Sequence, residues 1–249
     1  MRKRNKILLF CLSGIFLISF IWFYLFFLEE NIMSFEENLI TASQNSDVVL
    51  VFNSGGWGTI SFEKAMDFNP IINEVKELIE DHGLKVSIVE YHRTRENIIG
   101  KIGSIKEVIQ GFPDSSKSFA KIIDKFLENN PGEKIIIAGL SNGAAFANSV
   151  IEKIEKNKDK VLSIELGAPF WKKKTEGENI LDINNQNDIL ANGQIGRLLF
   201  SLLRAPFVWT YENIRGNKTS LSEAMDISGH DYYWEEHREK ITLFIEEKI

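Results

Sequence analysis

The stretch KIIIAGLSNGAAFANSVIEKI, from Lys134 to Ile154, passes from an apolar strand through Gly-Leu-Ser-Asn-Gly directly into an alanine-rich helix. Ile135 to Ala138 is apolar at every position, as in a strand buried on both faces of a parallel sheet. An ordinary strand-to-helix turn needs one permissive residue. A glycine on each side of a serine indicates a tighter junction, where the residues two before and two after it crowd each other too closely for side chains. Ala144, Ala145 and Ala147 then let the helix lie close to the sheet. The helix N-terminus directs its positive end and its free N–H groups toward Ser141.

Strand and helix signals alternate on either side of this junction. Val48 to Phe52, Lys85 to Glu90, Val161 to Leu166 and Ile180 to Ile183 read as further strands. Asn69 as N-cap and Pro70 at the first helical position open a helix that His82-Gly83 ends. A second helix, with Phe119, Ile122, Ile123, Phe126 and Leu127 at helical spacing, stops at Pro131-Gly132. The alanine-rich helix runs from about Asn142 to Lys156, and Tyr232 to Ile249 closes the chain as an amphipathic helix. Ile195, Leu198, Leu199, Leu202 and Leu203 mark a helix packed on the sheet, the alternative being an apolar cap facing a membrane or an acyl chain. Phe207 to Tyr211 reads as the last strand, with a long loop from Glu212 to Gly229. The pattern predicts an α/β fold, a mostly parallel sheet with helices on both faces, whose ligands bind beyond the carboxyl ends of the strands.

The chain of 249 residues suits one such domain. In front of it, Ile7 to Leu28 carries no charge and matches the roughly 20 apolar residues that cross a bilayer. No small-residue cleavage site follows, so residues 1–28 read as a basic tail and an uncleaved transmembrane anchor. Arg2, Lys3, Arg4 and Lys6 precede the run, which keeps the N-terminus in the cytoplasm and exports the remainder. Residues 29–46 read as a polar, irregular linker, and residues 47–249 as the exported domain. With the four basic tail residues set aside, 25 basic and 35 acidic residues remain. That balance argues against a nucleic-acid binder, which needs a basic face. Cys11, the only cysteine, lies inside the apolar run, so the domain has no disulfide, thiol nucleophile or cysteine metal site.

A serine hydroxyl is a weak nucleophile and needs a base. Of the four histidines, His82 ends a helix, His92 follows the second strand, and His237 sits among charges in the last helix and reads as solvated. His230 stands in a loop, DISGHDYYW, just before that helix, with a glycine for freedom and aromatics to exclude water. A carboxylate should orient the imidazole and stabilise its cation. Asp188, on the polar loop after the fifth strand, is the candidate, with Asp182 and Glu165 as competitors.

Ser141, Asp188 and His230, in that order on an α/β chain with a G-x-S-x-G turn, resemble the α/β-hydrolase superfamily over residues 47–249. The resemblance implies an oxyanion hole. Its donors would be the N–H of Asn142, after the nucleophile, and one from Asn53-Ser-Gly-Gly-Trp-Gly58, given by Gly56 or Trp57, with Gly55 as a further choice. No lysine follows those glycines, so a phosphate loop does not fit. Only a short stretch precedes the first strand, so the two antiparallel strands that often open this fold should be missing. The resemblance implies a serine hydrolase acting on esters, without metal or cofactor, and the anchor, which keeps the site near a bilayer, favours a lipid or lysolipid as the ester. Thioesterase and peptidase chemistry would use the same residues. The alternatives are a ligand-binding module with an unreactive serine, and a scaffold that docks a partner through residues 195–209.

Overall fold

The computed structural model describes residues 33–94, 105, 107–173, 175–217, 219, 224–225 and 227–249. Five strands, β1 (Val48–Asn53), β2 (Val86–Glu90), β3 (Lys134–Leu140), β4 (Val161–Leu166) and β5 (Ile180–Ile183), form one sheet in the order β2-β1-β3-β4-β5. Every pairing is parallel, with Val48 opposite Val86 and Lys134, and Ile135 opposite Val161. Among the described residues no strand precedes β1.

Alternate residues of each strand feed opposite faces. Val49, Val51, Ile135 and Ile137 pack against α1 (residues 33–43), α3 (Pro113–Asn129) and α4 (Asn142–Lys153). Val48, Leu50, Phe52, Ile136 and Ala138 pack against α2 (Asn69–Asp81) and α6 (Trp234–Lys248). The central strands are buried on both sides, which is why they read as unbroken apolar runs. From β1 the chain steps to β2 on one side and then crosses to β3 on the other. The crevice of such a sheet opens where the order reverses, beyond the carboxyl ends of β1 and β3.

Several expectations are corrected. The irregular linker fails over residues 33–43, which are helical, because Phe35 and Leu39 are fully buried against α3 and the sheet. Phe68, not Asn69, caps α2; Asn69 is already helical and its amide donates to the Phe62 carbonyl at 2.9 Å. Residues 207–211 form no strand. They continue α5 (Ile195–Ile214), which runs through Pro206, and β5 remains the edge of the sheet. That helix does not pack on the sheet either, since Ala205 alone of its residues is buried. His237 is buried rather than solvated; its ring lies 5.5 Å from that of Tyr232 and its Nε2 has no hydrogen-bond partner among the described residues. The expected anchor, residues 1–28, lies outside the described residues, and no helix among those described is long and apolar enough to cross a membrane.

Candidate active site

Ser141 joins β3 to α4 with φ 55° and ψ −120°. Among the described residues, only it and Phe112 reach positive φ without being glycine. Such a conformation costs about 1–3 kcal/mol and persists only where the surroundings impose it. Here they do. A Cβ on Gly139 would lie 2.3 Å from the Gly143 carbonyl carbon, and a Cβ on Gly143 would lie 2.3 Å from the Asn53 carbonyl oxygen. The turn is pinned on its other side by a hydrogen bond from the Ser141 N–H to the Leu166 carbonyl, 2.8 Å. Ser141 therefore stands at the carboxyl end of β3, nearly buried, beside the reversal point of the sheet.

The loop after β1 comes up against it. A Cβ on Gly55 would meet the Ser141 Cβ at 3.6 Å, whereas one on Gly56 would meet nothing within 4 Å, so of the loop's glycines Gly55 is the one packed on the serine. Gly56, with φ +53°, turns its carbonyl toward the Asn142 amide, whose Nδ2 donates to it at 3.1 Å. Asn142 is the first residue of α4, so its backbone N–H has no partner within the helix. The N–H groups of Gly56 and Trp57 make no backbone hydrogen bond among the described residues. Trp57 itself is half exposed.

Arg93 ties this loop to the serine turn. It follows β2, and its guanidinium donates to the carbonyls of Asn142 and Ser54, with longer contacts to Gly55 and Gly56 at 3.5 and 3.4 Å. The charged group lies 5.3 Å from the centre of the Phe112 ring and 5.9 Å from that of Phe146. Burial pulls its pKa down. A planar fork of donors suits several carbonyls at once, and a lysine could not reproduce it. Arg93→Lys is expected to loosen the loop after β1 against the serine turn and to lower stability by about 1–3 kcal/mol, as the denaturant midpoint would show.

The remaining groups come from the loop after β5 and from the segment that leads into α6. Asp188 is fully buried. One carboxylate oxygen accepts the N–H groups of Leu190 and Ala191 at 2.8 and 3.0 Å. The other lies 2.8 Å from His230 Nδ1 and accepts the Tyr232 hydroxyl at 2.7 Å. Burial pushes this carboxyl up, but the hydrogen bonds from His230, Ala191 and Tyr232 outweigh burial and hold it below the usual range. An ionised carboxylate only accepts, so Nδ1 carries the proton and the neutral ring keeps a lone pair on Nε2, the tautomer of a base. Burial, with the bond to Asp188, pushes the Tyr232 phenol well up, so it stays a donor. Gly167, just beyond β4, admits both rings: a Cβ there would lie 2.7 Å from Tyr232 and 2.9 Å from His230 Cε1. The imidazole thus sits one residue beyond the Leu166 carbonyl that holds the Ser141 N–H.

The competitors stand elsewhere. Asp182 is exposed and accepts the Asn184 amide at 2.8 Å. Glu165 is buried in β4, where it accepts the Ser163 hydroxyl and the Asn148 amide. His92 is exposed, 3.2 Å from a Glu90 carboxylate oxygen. Three residues of the site escape sequence reasoning. Tyr232 reads only as an aromatic shield. Gly167 lies in a stretch without a motif. Arg93 has one available signal, its place just beyond a strand's carboxyl end.

No family model matches the chain, and no curated protein matches it. Among solved structures it is similar to Trichoderma reesei cutinase in complex with a C11Y4 phosphonate inhibitor, with a TM-score of 0.48 and 13% sequence identity over 82% of this chain and 76% of that one.

Proposed function

We propose that this chain is a serine hydrolase of the α/β-hydrolase superfamily that cleaves carboxylic esters, held on the extracytoplasmic side of a membrane by residues 7–28. The observation that carries the reading is a strained serine at the carboxyl end of β3 with an Asp188–His230 pair beside the carboxyl ends of β4 and β5 of the same sheet.

In this reading Ser141 Oγ attacks the ester carbonyl carbon while His230 Nε2 takes its proton. The N–H of Asn142 and that of Gly56 or Trp57 stabilise the oxyanion, with Arg93 holding both segments in place. Collapse of the tetrahedral intermediate expels the alcohol, which takes the proton from the imidazolium. Water, deprotonated by the same nitrogen, then releases the acid and frees Ser141. Asp188 stays ionised throughout and stabilises the cation that forms. No step calls for a metal or an organic cofactor. A panel of p-nitrophenyl esters of increasing acyl length tests the reading. Turnover by the full chain in detergent, lost in Ser141→Ala, is the expected result; equal rates for the two proteins would leave a binding module with an idle serine.

A further inference from the structure

α5 leaves Leu199, Phe200, Leu202, Leu203, Phe207 and Ile214 in solvent, the last three 71, 77 and 81% exposed. A helix that is apolar around most of its circumference, with one buried residue, lacks its partner in this structure. Four observations say what the partner is.

The first is position. A cavity of about 190 Å³ lies between Arg197, Phe200 and Arg204 of α5 and Ile189 and Ser228, which flank the Asp188–His230 pair. The helix therefore sits at the carboxyl end of the sheet, on the face that carries Ser141. The second is its company. Trp57 follows β1, and Phe170 and Trp171 follow β4, so three exposed aromatic rings share that end. Tryptophan in such a rim suits a membrane interface, where one side of the ring is apolar and the other wet.

The third is the route of the chain. Phe35 of α1 packs on Tyr91 and Phe119, with ring centres 5.3 and 4.3 Å apart, and Tyr91 lies just past the carboxyl end of β2. α1 thus begins at the active face and runs away from it to β1. The uncharged run ends at Leu28, and five extended residues reach at most about 18 Å, so the tether holds this face close to the bilayer. The fourth is charge. The exported part is acidic as a whole, yet α5 carries Arg197 and Arg204 and no acidic residue before Glu212. Among the described residues neither arginine has an acidic partner, which suits anionic headgroups.

We propose that α5 lies in the headgroup layer of the bilayer that residues 7–28 cross, its apolar side in the acyl boundary, so that the Ser141 face opens onto lipid. The inference rests on the anchored reading of the N-terminus and not on the acyl-transfer chemistry. The substrate it favours is an ester drawn from the same leaflet.

The test uses the full chain, Cys11→Ser, in vesicles of equal parts phosphatidylcholine and phosphatidylglycerol. Single nitroxides are placed through Leu203→Cys, Phe207→Cys and, at the opposite end of the sheet before β4, Asp159→Cys. Collision rates are read with oxygen, which concentrates in hydrocarbon, and with a nickel chelate, which stays in water. The expected result is several-fold more oxygen contact and less nickel contact at 203 and 207 than at 159. Equal nickel contact at all three sites overturns the proposal. So does shielding from both reagents with spin–spin broadening, which would assign the face to a second copy. Extraction of the protein by alkaline carbonate removes the anchor and overturns it too. Fluorophosphonate labelling in the same vesicles is separate: a lipid-exposed α5 on a chain whose Ser141 stays unlabelled would retain this inference and sink the hydrolase reading.

Discussion

Asp188→Asn is expected to lower ester hydrolysis by about 10⁴-fold while Asp182→Asn leaves it nearly unchanged. The two residues bound the same loop, and their environments separate them. Asp182 is exposed and bonded locally to Asn184. Asp188 is buried and gathers four donors, the N–H groups of Leu190 and Ala191, the His230 ring and the Tyr232 hydroxyl. An amide in its place keeps one accepting oxygen and offers two N–H donors. Facing His230, it favours the tautomer with the proton on Nε2, which has no lone pair to accept the serine proton. It also sets donor against donor at a buried site, so a stability loss of about 2–4 kcal/mol should accompany the loss of rate. Steady-state rates and denaturant midpoints of the two variants measure both effects. A fully active Asp188→Asn would remove this residue from the mechanism.

Gly143→Ala is expected to cost about 3 kcal/mol or more, or to abolish folding. The added methyl would stand 2.3 Å from the Asn53 carbonyl oxygen and 2.8 Å from that of Ser54. Both are backbone atoms at the end of a fully buried strand, so neither can yield without parting α4 from β1. The same displacement would open the Ser54–Gly56 segment that Arg93 holds. Gly132→Ala is the control. It lies in the turn before β3, where an added Cβ meets nothing within 4 Å, and its midpoint should shift by no more than about 0.5 kcal/mol. Similar midpoints for the two variants would mean that the serine turn is not crowded as described.

What was legible in the sequence follows from how local its causes are. The five strands are short apolar runs closed by turn residues, and each stands within a residue or two of its expected place. The strand–Gly-x-Ser-x-Gly–helix junction is legible because its crowding is mostly local, Gly139 against Gly143. Phe207 to Tyr211 reads as a strand because aromatic and β-branched residues favour strands, whereas the helix begun at Ile195 carries them along through Pro206. Phe35 and Leu39 lie in a stretch that reads as a polar linker, and only packing against α3 and the sheet gives them a role. Arg93 was hidden for a deeper reason. Its partners are backbone carbonyls from two distant segments, and carbonyls leave no mark in a sequence. Tyr232 becomes more than a shield only once β5 has brought Asp188 beneath it.

The most direct test of Ser141 as an activated nucleophile is the intact mass of the full chain in detergent after exposure to a fluorophosphonate, run beside Ser141→Ala and His230→Ala. A base at His230 and a nucleophile at Ser141 predict one adduct on the wild type, none on Ser141→Ala, and a rate slowed by orders of magnitude in His230→Ala. An unmodified wild type with a cooperative unfolding transition, or an adduct that persists in Ser141→Ala, would contradict it.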